Sequence, residues 1–231
     1  MGYSQVLWDP LYRKCTFVLC LLSLLYQVTG VNAINVYSQK IFESILNSSS
    51  EDGVTPRVAN CLITVAQLVA SSLSPIMGRY FGFKQIFVGG LALIAVALAL
   101  IGMFARLGIN TALVVMMSMD LAIYQLTMGY YLVYVGIVAE ERSSNICNFV
   151  NWIIMLLLMM TTIILFEKLG NEGTFWLFAG LSILGAILLQ MNLREAKGLT
   201  REKIKQLYVP DSLRNDTFIV QYVGTPMSGI I

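Results

Sequence analysis

Amide side chains stand inside an apolar segment near the start of this sequence. The stretch from Tyr26 to Phe42 carries Gln27, Asn32 and Asn35 where the chain is otherwise rich in apolar residues. An amide in hydrocarbon must find a hydrogen-bond partner, so such residues normally face the interior of a helix bundle or a wet cavity. The spacing therefore predicts a polar, hydrogen-bonding site at membrane depth.

The amino-acid composition indicates the class of protein to which this chain belongs. The 231 residues are 57% hydrophobic and 12% charged, which lies far from soluble domains and indicates an integral membrane protein. The net charge of +2, without a basic patch interleaved with aromatics, does not favour nucleic acid.

Motifs for catalysis and metal binding are missing from the sequence. It has neither a nucleophile elbow, a P-loop nor a dinucleotide fingerprint, so we expect a protein that is not an enzyme and has no cofactor. The four cysteines lie in or beside apolar segments without metal-ligand spacing, and the chain has no histidine. They are interpreted as small buried hydrophobic residues rather than as a metal site.

Six apolar segments are long enough to span a hydrocarbon core of about 30 Å. They run over Cys15–Tyr37, Val58–Met77, Ile86–Ala105, Thr111–Val138, Phe149–Phe166 and Phe175–Met191. The runs are continuously apolar instead of alternating, which favours helices over barrel strands. The sequence predicts an all-α membrane protein with an N-terminal segment (1–14), a six-helix bundle (15–191) and a C-terminal tail (192–231).

Loop charges predict the orientation of this bundle. An even number of spans puts both termini on one side, and most basic residues fall on that side. They are Arg13, Lys14, Arg79, Lys84, Arg142, Arg194, Lys197, Arg201, Lys203, Lys205 and Arg214. The basic residues predicted on the opposite side are Lys40, Arg57, Arg106 and Lys168. The excess predicts termini on the cytoplasmic or matrix side.

Two polar regions lie outside the predicted spans. The outer loop contains Asn47 in an N-glycosylation sequon, which a secretory-pathway protein would expose and a mitochondrial protein would leave unused. In the tail, Thr200 is expected to cap a short helix that runs to Tyr208 and stops at Pro210. This basic helix is expected either to lie at the lipid headgroups or to dock on a partner protein.

The order of these features resembles the C-terminal six-helix half of the sugar porters, the glucose-transporter type of the major facilitator superfamily. The family's seventh helix reads QQxxGxNxxxYYS, and residues 26–38 read YQVTGVNAINVYS here, with five of seven fixed positions matched. Asn151 and Trp152 stand where the family has an NW pair, residues 173–175 and 178–182 resemble the start of its twelfth helix, and residues 195–200 resemble its PETKG stretch.

Two segments of the sequence differ from the family's motifs at positions that the family uses for gating. Residues 79–84 read RYFGFK where the family has [DE]RxGR[RK], so its gating charge pairs cannot form in the usual way. Residues 129–135 read GYYLVYV where the family has GPxPW. Loss of both prolines predicts a straight and stiff fourth span.

The resemblance also implies a sugar site, residue by residue. Gln27 and Asn32 are retained, and Gln67 replaces an asparagine with another amide. The positions that have changed are Tyr26, Thr127, Val135 and Met155. Each polar contact is worth about 0.5–1.5 kcal/mol net, so this vestigial site is expected to bind sugar poorly. We expect Gln27 and Asn32 to hydrogen-bond within the bundle or to trapped water.

Asp120 and the tyrosines around it are the other polar features of the fourth span. A carboxylate at the membrane centre costs about 2.5–3.5 kcal/mol on insertion scales, so Asp120 needs a partner or a proton. A contact with a neighbouring subunit is favoured over an ion or proton site, because the sequence offers no second acid or histidine at that depth. Tyr124 is interpreted as packing surface, and some of Tyr130, Tyr131 and Tyr134 are expected to face lipid headgroups or another protein.

Two functions follow from the resemblance. Since the sequence resembles only one half, the first is a transport-inactive structural or accessory subunit of a larger membrane complex, in contact with other subunits and lipids. Its favoured location is a respiratory-chain complex of the mitochondrial inner membrane. The alternative is a half-size sugar transporter in a plasma or other cell membrane, which works as a homodimer or with a separate partner half.

Overall fold

The computed structural model describes residues 10–32, 34–36, 38, 56–139, 141–199, 203–204 and 207–209. The predicted sequon at Asn47 and the tail beyond Val209 lie outside these residues. The described chain is helical: α1 is Pro10–Val28, α2 is Pro56–Tyr80, α3 is Phe83–Leu107, α4 is Asn110–Val138 and α5 is Glu141–Asn192.

Four of the described helices, α2 to α5, are long and apolar enough to cross a membrane by length and composition. The chain is therefore a helical membrane protein. The count of six spans and the side on which the termini lie stay predictions.

The first predicted span, Cys15–Tyr37, is broken near its middle. α1 ends at Val28, and Gly30 has a positive φ of 73° before helical geometry returns at Val31. The Thr29 hydroxyl donates to the Tyr26 carbonyl at 2.7 Å, and the Ile34 N–H donates to the Gly30 carbonyl at 2.9 Å. The Thr29 side chain thus provides a partner for one backbone carbonyl at the break.

The helix α5 consists of two arms that meet at Gly170. Its 52 residues would extend to about 78 Å as one straight helix, more than twice a hydrocarbon core of about 30 Å. Gly170 has φ 69° and ψ 178°, which is not helical. The rings of Phe166 and Phe175 lie 5.8 Å apart although nine residues would separate them by about 13 Å along a straight helix. The first arm (141–169) and the second arm (171–192) therefore fold back on each other, and they carry the fifth and sixth predicted spans.

Aromatic side chains fill the centre of the bundle. α3 packs against α4 and α5, α2 packs mainly on α4, and α1 packs mainly on α5. The largest fully buried side chains include Tyr26, Phe87, Tyr131, Tyr134, Phe175 and Phe178. The ring of Phe87 lies 5.7 Å from that of Tyr26 and 5.6 Å from that of Tyr134, both edge-on. In a bilayer such van der Waals packing, rather than the hydrophobic effect, holds helices together.

Two parts of the bundle bury only a narrow stripe each. On α2 the buried residues are Ala59, Ile63, Ala70 and Ser74, and on the first arm of α5 they are Ser143, Cys147, Asn151 and Thr162. Large apolar side chains such as Leu68 and Met160 are 69% and 64% exposed. These outward faces are suited to lipid or to another helix bundle.

The chain after α5 returns to the bundle. The Glu195 carboxylate accepts from the N–H groups of Phe83 and Lys84 at the start of α3, each at 2.9 Å. Lys197 Nζ donates to the carbonyls of Arg79 and Phe81. Bonds from the tail therefore hold the backbone of this loop.

The last described residues pack on the end of α4. Ile204 and Tyr208 are buried, and the Tyr208 hydroxyl lies 2.8 Å from that of Tyr134 and 3.0 Å from the N–H of Arg194. Burial raises the pKa of Tyr208. In the predicted tail helix, Lys203 and Ile204 are helical, and Ile204 and Tyr208 are buried against this same chain. A position at the lipid headgroups or on a partner protein stays a prediction.

Candidate substrate-binding site

Gln27 is the centre of a hydrogen-bonded amide cluster. Its side chain is 1% exposed. Its Nε2 donates to Oδ1 of Asn151 at 2.9 Å, and its Oε1 accepts from Nδ2 of Asn32 at 2.7 Å. The expectation that Gln27 and Asn32 hydrogen-bond within the bundle is confirmed.

Tyr124 of α4 completes the cluster, because the Asn32 Nδ2 also donates to its hydroxyl at 2.9 Å. Asn32 and Gln27 are five residues apart, and in a regular helix their side chains would diverge by about 140°. The break at Gly30 lets the two amides meet. The cluster of Gln27, Asn32, Tyr124 and Asn151, called the amide cluster below, joins three parts of the fold.

Gln67 lies outside the amide cluster. Its Nε2 donates to Oδ1 of Asn35 at 3.1 Å, and no described bond links this pair to Gln27 or Asn32. Asn35 is exposed and Gln67 is half-buried. The structure therefore brings together two of the three predicted amides and places the third in a second, more open pair.

The positions that have changed carry less polar or internally bonded side chains. Tyr26 is fully buried, and its ring lies 6.1 Å from that of Tyr124. The Thr127 hydroxyl donates to the carbonyls of Ile123 and Tyr124 on its own helix. Val135 is 1% exposed within the core, and Met155 is half-buried. None of these four side chains adds a polar group to the amide cluster among the bonds described.

The amide cluster keeps hydrogen-bonding groups that its internal bonds do not use. Within the part of the chain that the structure describes, the Asn32 Oδ1 accepts no hydrogen bond and the Asn151 Nδ2 donates none. The Tyr124 hydroxyl accepts from Asn32, which leaves its proton to donate elsewhere. An acceptor and two donors suit a ligand hydroxyl, which itself donates and accepts.

The sequence did not indicate that Asn151 or Tyr124 belongs to the site. Asn151 was visible only as part of a family motif, and Tyr124 as packing surface. Their bonds to Gln27 and Asn32 span 124 and 92 residues of sequence. Asn35 was visible as an amide in the opening polar stretch, and its pairing with Gln67 depends on how α2 packs.

The tyrosines of α4 are all directed inward. Tyr130, Tyr131 and Tyr134 are 7%, 0% and 0% exposed, so the expectation that some face lipid or another protein is wrong. α4 contacts helices on more than one side, so neighbouring positions can all be buried. Tyr131 bonds to Ser23 of α1 at 2.5 Å, while the Tyr130 hydroxyl bonds to the Ser74 carbonyl and to the Gly78 N–H of α2. α4 is a continuous helix, and the expectation that it is straight and stiff stays a prediction.

Asp120 is enclosed within the bundle. It is 0% exposed, and neither carboxylate oxygen has a hydrogen-bond partner among the described residues. A contact with another subunit would require the side chain to leave this position. The predicted subunit contact stays a prediction.

These features define a helical membrane protein with an uncharged, hydrogen-bonding site between its helices. The chain belongs to the sugar transporter family, since the family described as "Sugar (and other) transporter" matches residues 2–208. This match confirms the resemblance to the sugar porters of the major facilitator superfamily.

Individual relatives are similar to the chain at low identity. It is 22% identical over 216 residues to a galactose-proton symporter of Escherichia coli, which covers 89% of this chain and 46% of the relative. It is 24% identical over 216 residues to an arabinose-proton symporter of Bacillus subtilis, with 90% and 46% covered. It is 25% identical over 208 residues to the major myo-inositol transporter of that bacterium, with 85% and 43% covered. The chain spans less than half the length of these relatives, which are transporters and not enzymes.

Proposed function

We propose that this bundle forms one wall of a passage for a neutral sugar or cyclic polyol, and that a second helix bundle completes the passage. The amide cluster carries this proposal. Its donors and acceptors bear no formal charge, so they suit hydroxyl groups better than an anionic or cationic substrate. The relatives named above carry galactose, arabinose or myo-inositol in their names, and all three are neutral polyhydroxyl compounds.

The outward faces of α2 and of the first arm of α5 support the second half of the proposal. Asn151 of the amide cluster lies on the arm, and Gln67 of the open pair lies on α2. A second bundle that packs on these faces would cover the half-buried Gln67 and the outer side of the arm that carries Asn151. Transport by alternating access needs two such bundles around a shared site at mid-membrane.

Sugar binding tests this function directly. Radiolabelled galactose, arabinose and myo-inositol are titrated onto the purified protein in lipid nanodiscs. We expect saturable binding of at least one of them. Gln27→Ala and Asn32→Ala each remove bonds of about 0.5–1.5 kcal/mol net, which corresponds to roughly 2- to 12-fold weaker binding.

Asn192→Ala is the matched control, because Asn192 is an exposed amide at the end of α5 that bonds only to the carbonyl of Leu188 among the described residues. Affinity should stay unchanged in this variant. Lack of saturable binding for all three sugars, or full affinity in Gln27→Ala, would contradict the proposal.

A second candidate function is a transport-inactive structural subunit of a larger membrane complex. It is favoured by the hydrogen bonds of the Tyr130 hydroxyl to α2. These bonds hold α4, the helix that lacks the family's prolines, against its neighbour. Native purification distinguishes the two functions: stoichiometric recovery with other subunits and no sugar binding supports this candidate. The mitochondrial inner membrane and the respiratory chain stay predictions within it, and the names of the relatives above point to neither.

A further inference from the structure

Asp120 is a carboxyl group that neither the amide cluster nor the proposed sugar passage uses. It lies ten residues into α4, which is about 15 Å from the start of that helix and half of a hydrocarbon core of about 30 Å. The side chain is 0% exposed, and both oxygens lack a hydrogen-bond partner among the described residues. An ionised carboxylate in such a place would have neither water nor a donor to replace it.

No positive charge of the described helices lies at the depth of Asp120. α2 and α3, which pack most closely on α4, carry charged residues only near their ends: Arg57, Arg79, Lys84 and Arg106. On α1 and α5, which contact α4 less, the described charged residues also lie near helix or arm ends: Arg13, Lys14, Glu141, Arg142, Glu167, Lys168 and Glu172. The remaining titratable side chains on these helices are tyrosines and cysteines, and none of them bonds to Asp120.

The packing of α2 on α4 shows where Asp120 lies along the helix axis relative to Gln67 and Tyr124. Two hydrogen bonds between these helices, from Ser74 to the Leu126 carbonyl and from the Gly78 N–H to Tyr130, each join residues 52 positions apart. A constant separation means that the helices run side by side in the same direction. The same register places Gln67 level with Met119, directly before Asp120, and Tyr124 follows Asp120 by one helical turn.

We propose that Asp120 is a proton-binding site, at a level along α4 between that of Gln67 and that of Tyr124, and that it carries its proton at neutral pH in the buried arrangement described here. Protonation removes the charge that the surroundings do not compensate and adds an O–H donor. A proton is favoured over a metal cation as the ligand, because Ca²⁺ or Mg²⁺ requires several oxygen ligands and the described residues bring no group of metal-binding side chains together at Asp120.

Infrared spectroscopy of the protein in lipid tests this site without reference to sugar. The C=O stretch of a protonated carboxylic acid lies apart from the carboxylate bands and shifts in D₂O. We expect this band at neutral pH in the wild-type protein and its loss in Asp120→Asn, whose side chain has almost the same shape. Glu167→Gln, which changes an exposed acid on α5, should leave the band in place.

Solid-state NMR of the wild-type protein with ¹³C-labelled aspartate gives a second measurement that needs no variant. The chain has five aspartates, and we expect one carboxyl signal at the position of a protonated acid while the others are ionised. An infrared spectrum without the acid band, a band unchanged in Asp120→Asn, or five ionised aspartate signals would overturn the proposal. A failure of sugar binding would leave these readouts unaffected, so the two proposals are tested separately.

Discussion

The carboxylate of Glu195 accepts a hydrogen bond from the backbone N–H of Phe83 at 2.9 Å, which ties the segment after α5 to the first turn of α3. The other carboxylate oxygen accepts from the N–H of Lys84 at the same distance. The first N–H groups of a helix have no partner within the helix, and the helix dipole favours a negative charge there. A glutamate from a distant part of the sequence thus fulfils the role of a helix cap.

Glu195→Gln should destabilise the bundle by about 1–2 kcal/mol, because it removes the charge and one of the two acceptors at the start of α3. The free energy of unfolding in detergent, followed by circular dichroism, measures this loss. Glu167→Gln serves as the matched control, since Glu167 is exposed on α5. Equal stability of the two variants would show that the cap contributes nothing.

Tyr130→Phe should loosen the contact between α4 and α2. The Tyr130 hydroxyl accepts from the Gly78 N–H at 2.5 Å and donates to the Ser74 carbonyl, so the variant loses two hydrogen bonds between the helices, each worth about 0.5–1.5 kcal/mol. Hydrogen exchange at the Gly78 amide should become faster by one to two orders of magnitude, given about 1.4 kcal/mol per factor of ten. Tyr80→Phe changes a side chain that is 77% exposed on α2 and should leave exchange unchanged. An unchanged exchange rate of the Gly78 amide in Tyr130→Phe would show that the hydroxyl does not stabilise the contact between α4 and α2.

Gly30→Ala should be among the most damaging single substitutions in the bundle. Gly30 has φ 73°, and a Cβ at this position would lie 2.5 Å from the Phe178 ring. A left-handed backbone costs a residue with a side chain about 1–2 kcal/mol, and the ring of the buried Phe178 must also move. The melting temperature should fall, and binding at the amide cluster should weaken with it, because this break sets the position of Asn32.

The control for Gly30→Ala is Gly136→Ala. Gly136 lies within α4, and a Cβ there would meet no atom within 4 Å. Alanine is a better helix former than glycine by about 1 kcal/mol, so this variant should be as stable as the wild type or more stable. A similar fall in melting temperature for both variants would contradict the conformational role of Gly30.

Mild oxidation should join Cys20 to Cys147. Their sulfur atoms lie 3.7 Å apart across α1 and the first arm of α5, and none of the four cysteines is in a disulfide bond. A disulfide bond needs about 2.05 Å, which small side-chain rotations can supply. Peptide mapping by mass spectrometry should find this pair and lose it in Cys147→Ser. A disulfide to Cys61, which is exposed on α2, would instead indicate a different packing of α1.

Local sequence features were sufficient to predict the membrane helices and two members of the amide cluster. Long apolar runs have few alternatives to membrane helices, because a bilayer leaves no other way to satisfy the backbone. Gln27 and Asn32 were recognisable because amides at that depth require partners.

Which groups serve as partners was decided by the tertiary structure. Asn151 and Tyr124 reach Gln27 and Asn32 across 124 and 92 residues, and Glu195 reaches Lys84 across 111. Such pairs depend on the register and rotation of packed helices, which no local pattern specifies. The sequence by itself determined that the chain is a membrane protein of the sugar-porter type with amides at depth. Only the packing decided that these amides meet each other, while the Asp120 carboxyl meets no described polar group.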